Sequence, residues 1–149
     1  MSAASGAPHP LVAQLGLQPH PEGGWYRQTW RSTVAVTPAG YTGPRVAATA
    51  IHFLLAAGET SRWHRVRSDE LWLWQGLGPL RLRLGGDGDV PSVGEEVLVG
   101  PDPRAGHALQ ALVPGDSWQA AEPVGRAGAL VACIVAPGFE FADFELFEP

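Results

Sequence analysis

The chain has 149 residues, of which 45% are hydrophobic and 17% charged, and its net charge is −5. This size and balance are typical of one globular domain, and without a basic cluster the chain is not expected to bind nucleic acid. The single Cys133 excludes an internal disulfide and a cysteine-based zinc site, and the absence of a secretory signal or a long apolar run predicts a cytoplasmic protein with no membrane partner.

In chain order, residues 1–8 are predicted to form a flexible tail and residues 9–149 a single domain. Residues 9–16 predict one short helix that ends at Gly16. Strand-like alternation follows at 25–31, and the clearest alternation is Leu-Arg-Leu-Arg-Leu at 80–84. Further short strands bounded by Gly or Pro are predicted at 46–55, 70–75, 96–99, 109–113 and 130–135. Strands spaced in this way predict an all-β sandwich or barrel rather than alternating strands and helices.

One segment combines a histidine and a carboxylate between two glycine turns. His64 follows the turn at Gly58, and Glu70 stands six residues after His64 and before Gly76. This resembles the first cupin motif, in which two His one residue apart and a later Glu point into a jelly-roll barrel. His64 and Glu70 match that motif, whereas Val66 occupies the position of its second His.

A second segment, at residues 113–119, has the Pro-Gly turn of the second cupin motif. Gln119 stands where the resemblance would place a third His. The metal ligands that the resemblance implies are therefore His64, Glu70 and Gln119, with two of the usual four replaced by poorer ones. Any divalent metal is expected to be held weakly.

Four further blocks, at residues 19–27, 49–55, 68–72 and 136–146, resemble the signatures of a short single-domain cupin-like family of unknown function. The resemblance implies a double-stranded β-helix, the jelly-roll or cupin barrel, with one short N-terminal helix. It also implies a homodimer. We expect the aromatic-rich segment at 25–31 to suit the dimer interface.

A pocket can be predicted from strand geometry, because residues two apart share one face of a strand. If Glu70 faces the barrel interior, Trp72 and Trp74 do so too, and with His64 and Gln119 they would line a small-molecule site. Both tryptophans could equally be core filler.

Three other residues and one loop segment also have interpretations that involve no binding or catalysis. His52 either packs in the core or shares the pocket. Arg27 is by default a solvated side chain, although it could bind a carboxylate or phosphate. Cys133 is interpreted as an inert buried thiol, and the segment at 19–24 as a turn.

Three functions remain open. The first is binding of a small polar organic molecule, such as a sugar or nucleotide derivative, with epimerase or isomerase-type acid–base chemistry by His64 and Glu70. The second is a metal-dependent oxygenase or lyase that uses His64, Glu70 and Gln119, with His52 as a further candidate ligand. The third is a ligand-binding module without catalysis.

Overall fold

The computed structural model describes residues 7–149. Helix α1 spans Pro10–Leu15, and its end is fixed by Gly16 in the left-handed conformation with φ +66°. The strands of the described chain are, in order, β1 Gln18–Pro19, β2 Trp25–Arg31, β3 Ala35–Val36, β4 Arg45–Val46, β5 Thr49–Leu55, β6 Ser61–Val66, β7 Asp69–Leu77, β8 Leu80–Leu84, β9 Glu96–Val99, β10 Gln110–Val113, β11 Gln119–Pro123, β12 Ala129–Ala136 and β13 Phe144–Leu146. Short 3-10 turns lie at Pro103–Ala105 and Phe141–Asp143.

Two antiparallel sheets face each other and form the barrel. The larger sheet has six strands in the order β1-β2-β5-β12-β7-β10, and the smaller has five in the order β13-β6-β11-β8-β9. Apart from β1–β2 and β8–β9, neighbouring strands of these two sheets are not consecutive in the sequence, so each wall of the barrel collects side chains from distant segments. The short pair β3 and β4 forms a separate ribbon.

The core fills one end of the barrel between the sheets. The alternation at 80–84 places Leu80 and Leu82 inside with no exposed surface. These leucines pack with Phe53, Leu55 and Val131 from the opposite sheet in one apolar cluster. The apolar residues of this end leave the other end of the barrel to the polar side chains described below.

The predicted all-β fold with one short helix is confirmed. Strand β11 was not predicted, because its sequence Gln-Ala-Ala-Glu-Pro carries no β-branched or aromatic residue. Residues 1–6 of the predicted tail lie outside the described residues. Within residues 7–149, no helix is long and apolar enough to cross a membrane.

Candidate functional site

A cavity of about 280 Å³ opens at the polar end of the barrel. One wall is the inner face of the six-stranded sheet, where neighbouring strands present their side chains in rows. One row runs through Glu70, Val135, Thr49 and Arg31, as the strand registers show. The next row runs through Trp72, Cys133, Ile51 and Gln28. Residues of both rows line the cavity.

The loop between β1 and β2 carries two further side chains into the cavity, His20 and Glu22. The loop is closed by a hydrogen bond from the N–H of His20 to the carbonyl of Gly24, 2.9 Å long. Gly23 has φ +110°, and a Cβ there would lie 2.1 Å from the carbonyl oxygen of Thr60. Only glycine fits this close approach, which presses the loop against the start of β6.

Glu22 lies at the centre of a buried polar cluster that it forms with His20, Ser61 and His64. Its Oε1 is 3.3 Å from Nδ1 of His20 and 3.3 Å from Nε2 of His64. The hydroxyl of Ser61 donates to its other oxygen, Oε2. The exposed fractions of the side chains of His64 and Glu22 are only 1% and 9%. Because this carboxyl group is isolated from water, ionising it costs more free energy than ionising an exposed one.

Besides its contact with Glu22, the ring of His64 is fixed by two further contacts. Its Nδ1 lies 2.7 Å from the carbonyl oxygen of Arg62, to which it donates. Phe144 stacks on the ring with centroids 5.6 Å apart and an interplanar angle of 27°. His64 lies behind Glu22 and is not among the residues that line the cavity.

Glu70 lies in a second polar network. Gln119 donates from Nε2 to Oε1 of Glu70 over 2.8 Å, and its Oε1 accepts from the indole N–H of Trp72, also over 2.8 Å. Both bonds are buried, and together they fix the orientation of the Gln119 amide. Glu70 and Trp72 face the cavity, whereas Gln119 lies behind them.

Burial dominates the protonation equilibria of the cluster. It raises the pKa of Glu22 to about 8, against the lowering effects of Ser61 and Arg62. It also raises the pKa of Glu70 to about 7, and the nearby Glu22 adds to that rise. The imidazoles move the other way: burial lowers the pKa of His20 to about 4 and lowers that of His64. Near pH 7 Glu22 is therefore mostly protonated and the two imidazoles are neutral, whereas Glu70 is close to half ionised.

The mouth of the cavity carries opposite charges. Arg31 and Glu140 both line it and form an ion pair of 3.2 Å. Their side chains are 49% and 41% exposed, so solvent screens this pair. The cavity therefore changes from uncharged and aromatic inside to charged at its opening.

Four of the predicted site residues come together around this site, namely His64, Glu70, Trp72 and Gln119. Among residues 7–149, neither a hydrogen bond nor an ion pair joins His64 to Glu70. Glu22 takes the place of Glu70 beside His64. The turn residues carry this contact because the loop at 19–24 folds into the barrel mouth, which strand periodicity cannot predict.

The other three predicted ligand-binding residues lie outside the cavity. Trp74 lies further along β7, where its indole N–H donates to the carbonyl of Gly78 over 3.1 Å, and it packs against the apolar core. His52 and Arg27 are paired across β5 and β2. They point away from the cavity, because the alternate residues of those strands line it.

A β-bulge explains why Arg31 rather than Arg27 reaches the cavity. The pairing of β2 with β5 shifts by one residue between Gln28 and Trp30, so that Gln28 and Arg31 both face inward although they are three residues apart. A similar shift between β6 and β11 lets Ser61 and His64 share the inner face. The alternation of inward and outward residues along a strand does not predict where a bulge interrupts it.

His20, Glu22 and Ser61 are the site residues that the sequence analysis missed. The available signal was a loop that places a histidine and a glutamate among two prolines and two glycines. Such a rigid turn can hold titratable side chains in fixed positions. Cys133 is buried beside Glu70, and burial raises the pKa of its thiol well above the ordinary value, which agrees with an unreactive thiol.

The donor set that the cupin motifs imply, His64, Glu70 and Gln119, does not fit a tightly held divalent metal. Both ends of the Gln119 amide are already bonded to Glu70 and Trp72, and Val66 offers no ligand atom. In the part of the chain from residue 7 onward, no three His, Cys, Asp or Glu side chains are grouped as metal ligands. No step of the chemistry below is therefore assigned to a metal.

Comparisons with known proteins agree with this fold. The family described as Cupin superfamily (DUF985) matches residues 9–147. A hypothetical protein from Leishmania major is 35% identical, with 91% of this chain and 84% of that chain covered and a TM-score of 0.82. A Shewanella oneidensis protein is 34% identical, with 93% and 82% covered and a TM-score of 0.81. A comparison with curated proteins gave no match.

More distant structures share the fold alone. A dTDP sugar isomerase from Desulfovibrio desulfuricans is 17% identical, with 89% of this chain and 84% of that chain covered and a TM-score of 0.56. The family match spans nearly all of the described residues, including the loop of Glu22 and the strands of His64, Glu70 and Gln119. The chain therefore belongs to the Cupin superfamily (DUF985), and its fold is the double-stranded β-helix that the sequence motifs predicted.

Proposed function

We propose that this cupin binds a small polar organic molecule in its cavity and transfers protons on it, in the manner of an isomerase or epimerase. The observation that carries the proposal is that two buried carboxyl groups, Glu22 and Glu70, face one cavity. Their pKa values of about 8 and about 7 lie near neutrality, where general acids and bases are most effective.

The two carboxyl groups suit opposite roles. Glu70 has the lower pKa and accepts a hydrogen bond from Gln119, which favours its ionised form, so it is suited to removing a proton from the ligand. Glu22 has the higher pKa and is suited to supplying one. Titratable pairs whose environments separate their pKa values are the usual arrangement for acid–base catalysis.

The shape and polarity of the cavity define the class of ligand. A volume of about 280 Å³ is at the lower limit for small-molecule sites, which supports a ligand the size of one sugar ring. Phe53 and Trp72 offer an aromatic wall for a flat or apolar part, and neutral carboxyl groups suit hydroxyl or carbonyl oxygens. Arg31 at the mouth suits an anionic end, in place of the predicted Arg27.

Binding is tested by calorimetric titration with a panel of pentoses, hexoses, their sugar acids and their monophosphates. We expect saturable binding of at least one compound, weakened about tenfold by Trp72→Phe, which removes part of the cavity wall. Trp74→Phe is the matched control, because Trp74 lies in the core away from the cavity, and it should leave affinity unchanged. Equal affinity in both variants would contradict binding in this cavity.

Proton transfer is tested by incubating the same panel with the protein in D₂O and following deuterium incorporation at carbon by NMR. We expect incorporation that Glu70→Gln abolishes and that Glu96→Gln, on the exposed surface of β9, leaves intact. Binding without any incorporation would favour the non-catalytic binding module over the enzyme.

A further inference from the structure

His20 enters the cavity in a fixed orientation. Its Nδ1 accepts the backbone N–H of Glu22 over 3.1 Å. The backbone of His20 is held as well, because its N–H donates to the Gly24 carbonyl over 2.9 Å and its carbonyl accepts from the Gly23 N–H over 3.0 Å. The side chain is only 6% exposed. The loop therefore presents one face of this imidazole to the barrel.

The His20 ring packs among aromatic side chains. Tyr26 lies edge-on to it with ring centroids 4.6 Å apart, and Phe53 and Phe144 do so at 5.9 Å. Phe141, at the mouth of the cavity, lies 6.1 Å away. Dense packing of this kind restricts rotation of a side chain. The imidazole therefore keeps the orientation that its hydrogen bond sets.

The hydrogen bond at Nδ1 also fixes the tautomer of His20. A ring nitrogen that accepts carries no hydrogen, so the ring is neutral and its single N–H is on Nε2. In the described part of the chain no hydrogen bond engages this Nε2, and the only buried side-chain nitrogen or oxygen without a partner there is Nδ1 of His52. Nε2 of His20 is therefore accessible. Because His20 lines the cavity, its N–H can reach an oxygen of a bound molecule.

The proposed proton transfer needs such a donor. Removal of a proton from carbon leaves a negative charge, and a carbonyl group next to that carbon carries the charge on its oxygen. His20 faces the same cavity of about 280 Å³ as Glu70, the proposed base. A fixed N–H needs no reorganisation when the charge develops, which is what makes it effective. A carbonyl compound is the class of substrate that uses both groups.

We infer that His20 is a catalytic residue whose Nε2–H donates a hydrogen bond to a carbonyl oxygen of the substrate, and that the substrate is an aldehyde or ketone with a hydrogen on the neighbouring carbon. An open-chain sugar is such a compound. The inference rests on the proposed function and goes beyond it, because it names the reacting group of the ligand and a residue that holds it.

The step balances in protons and electrons. The C–H bond next to the carbonyl breaks, and its proton goes to Glu70. Its electron pair forms a carbon–carbon double bond, while the π pair of the carbonyl moves onto oxygen, where the N–H of His20 stabilises the charge. His20 keeps its hydrogen throughout. A proton from Glu22 then adds to the same carbon and the carbonyl re-forms, so that Glu70 has gained one proton and Glu22 has lost one.

The tautomer is tested on the ligand-free protein by NMR of ¹⁵N-labelled histidines at neutral pH. The His20 signals are those that disappear in His20→Asn. We expect a neutral ring with hydrogen on Nε2. Hydrogen on Nδ1, in a neutral or a charged ring, would overturn the inference, because Nδ1 could then not accept the Glu22 N–H.

Two variants separate the roles of the two ring nitrogens. His20→Asn offers an amide oxygen near the position of Nδ1 but no atom at Nε2, whereas His20→Gln offers an N–H near the position of Nε2. The probe is glycolohydroxamate, a planar mimic of the enolate, and glycolamide is its neutral counterpart. Calorimetric titration in EDTA excludes binding through a metal.

We expect the wild type to prefer the hydroxamate over the amide by roughly 10–100-fold, which is the ratio that one hydrogen bond to a charged oxygen provides. His20→Asn should lose this preference and His20→Gln should keep part of it. A wild type without the preference, or a His20→Asn variant that retains it, would overturn the inference. If His20→Asn fails to fold, the wild-type tautomer and the wild-type preference decide.

Catalysis supplies a third measurement. Where a panel compound incorporates deuterium, His20→Asn should slow the reaction roughly 10²–10³-fold, mainly in kcat. His52→Asn is the matched control, because His52 points away from the cavity, and it should leave the rate unchanged. Incorporation that survives His20→Asn overturns the catalytic role. Failure of the panel as a whole counts against the proposed function, whereas the tautomer and the hydroxamate preference decide the inference about His20.

Discussion

Residue by residue, the site consists of charges that the protein suppresses. Glu22 and Glu70 keep their protons to about pH 8 and about pH 7 in the folded chain, against an ordinary value of 4.5. His20 and His64 stay neutral below their ordinary 6.5. Each of these shifts makes the free energy of unfolding depend on pH, and the carboxyl and imidazole contributions have opposite signs.

The first prediction is a plateau of stability followed by a fall. Between pH 4.5 and pH 6.5 the folded carboxyls hold protons that the unfolded ones lack, and the unfolded imidazoles hold protons that the folded ones lack, so the two effects offset each other. Above pH 6.5 only the raised carboxyl pKa values matter. The free energy of unfolding should then fall as the pH rises to 8, by about 1.4 kcal/mol per pH unit for each carboxyl still protonated.

Urea unfolding at pH 6.5 and pH 8 measures this fall. Glu22→Gln cannot ionise, so it should reduce the fall to the part that Glu70 contributes. A wild-type protein whose stability rises over this interval would be incompatible with raised carboxyl pKa values.

The second prediction concerns Gln119, which satisfies two buried groups at once. Gln119→Leu keeps the volume but leaves the indole N–H of Trp72 and an oxygen of Glu70 without their partner. We expect a loss of about 1–3 kcal/mol in the free energy of unfolding, measured by urea denaturation. Gln75→Leu is the control, because Gln75 is exposed and its bond to Trp74 is 3.3 Å long. Equal losses would show that the buried network contributes nothing.

Some of the site residues could be predicted from the sequence, and others could not. The resemblance to the two cupin motifs identified His64, Glu70 and Gln119 as candidate site residues. It missed His20 and Glu22, whose positions depend on how a loop folds over the mouth of the barrel. The partner of a buried histidine depends on three-dimensional packing. Here the carboxyl group beside His64 comes from the loop, as Glu22, and not from the strand that carries Glu70.

At the level of elements, the loop at 19–24 is the part of the fold that creates the site. It is held by contacts of its backbone, including the bond from the Arg62 N–H to the Glu22 carbonyl of 2.8 Å. Alternation predicted strands such as 80–84 with their inner and outer faces. It could not predict the bulge of β2, which places Arg27 and Arg31 on opposite faces, or the bulge of β6, which brings Ser61 to the same face as His64.

The third prediction tests this loop. Gly23→Ala places a Cβ 2.1 Å from the Thr60 carbonyl oxygen, so the loop must move and withdraw Glu22 from His64. We expect a lower thermal midpoint together with a changed ¹⁵N spectrum of His64. Gly58→Ala is the matched control, because Gly58 also has a positive φ, of +84°, but nothing lies within 4 Å of its added Cβ. It should cost only about 1–2 kcal/mol of backbone strain and leave the His64 spectrum unchanged.

On the scale of the whole molecule, the outer face of the six-stranded sheet carries an apolar row. A row of side chains crosses five strands through Leu112, Leu71, Ile134, Ala50 and Trp30. Strand β12 reads Ala-Leu-Val-Ala-Cys-Ile-Val-Ala, without the alternation of β8, which is typical of a strand that is covered on both faces. The cavity and core cover its inner face only.

The last prediction is that a second copy of the chain covers this outer face and that the protein is a homodimer. The row spans roughly 20 Å at the usual strand spacing, and Leu112 and Trp30 are 54% and 51% exposed in the single chain, so a self-complementary partner would bury a substantial apolar area. Strand β2 contributes Trp30 to this face, as expected of the segment at 25–31.

Light scattering at micromolar concentration should give about twice the 15.8 kDa of one chain. Leu112→Arg should shift the mass toward the monomer without unfolding the protein, because that side chain is already exposed. Val93→Arg, at a fully exposed position in the loop between β8 and β9, should remain dimeric. A wild-type mass near 15.8 kDa would refute the dimer, and a dimer that Leu112→Arg leaves intact would exclude this face as its interface.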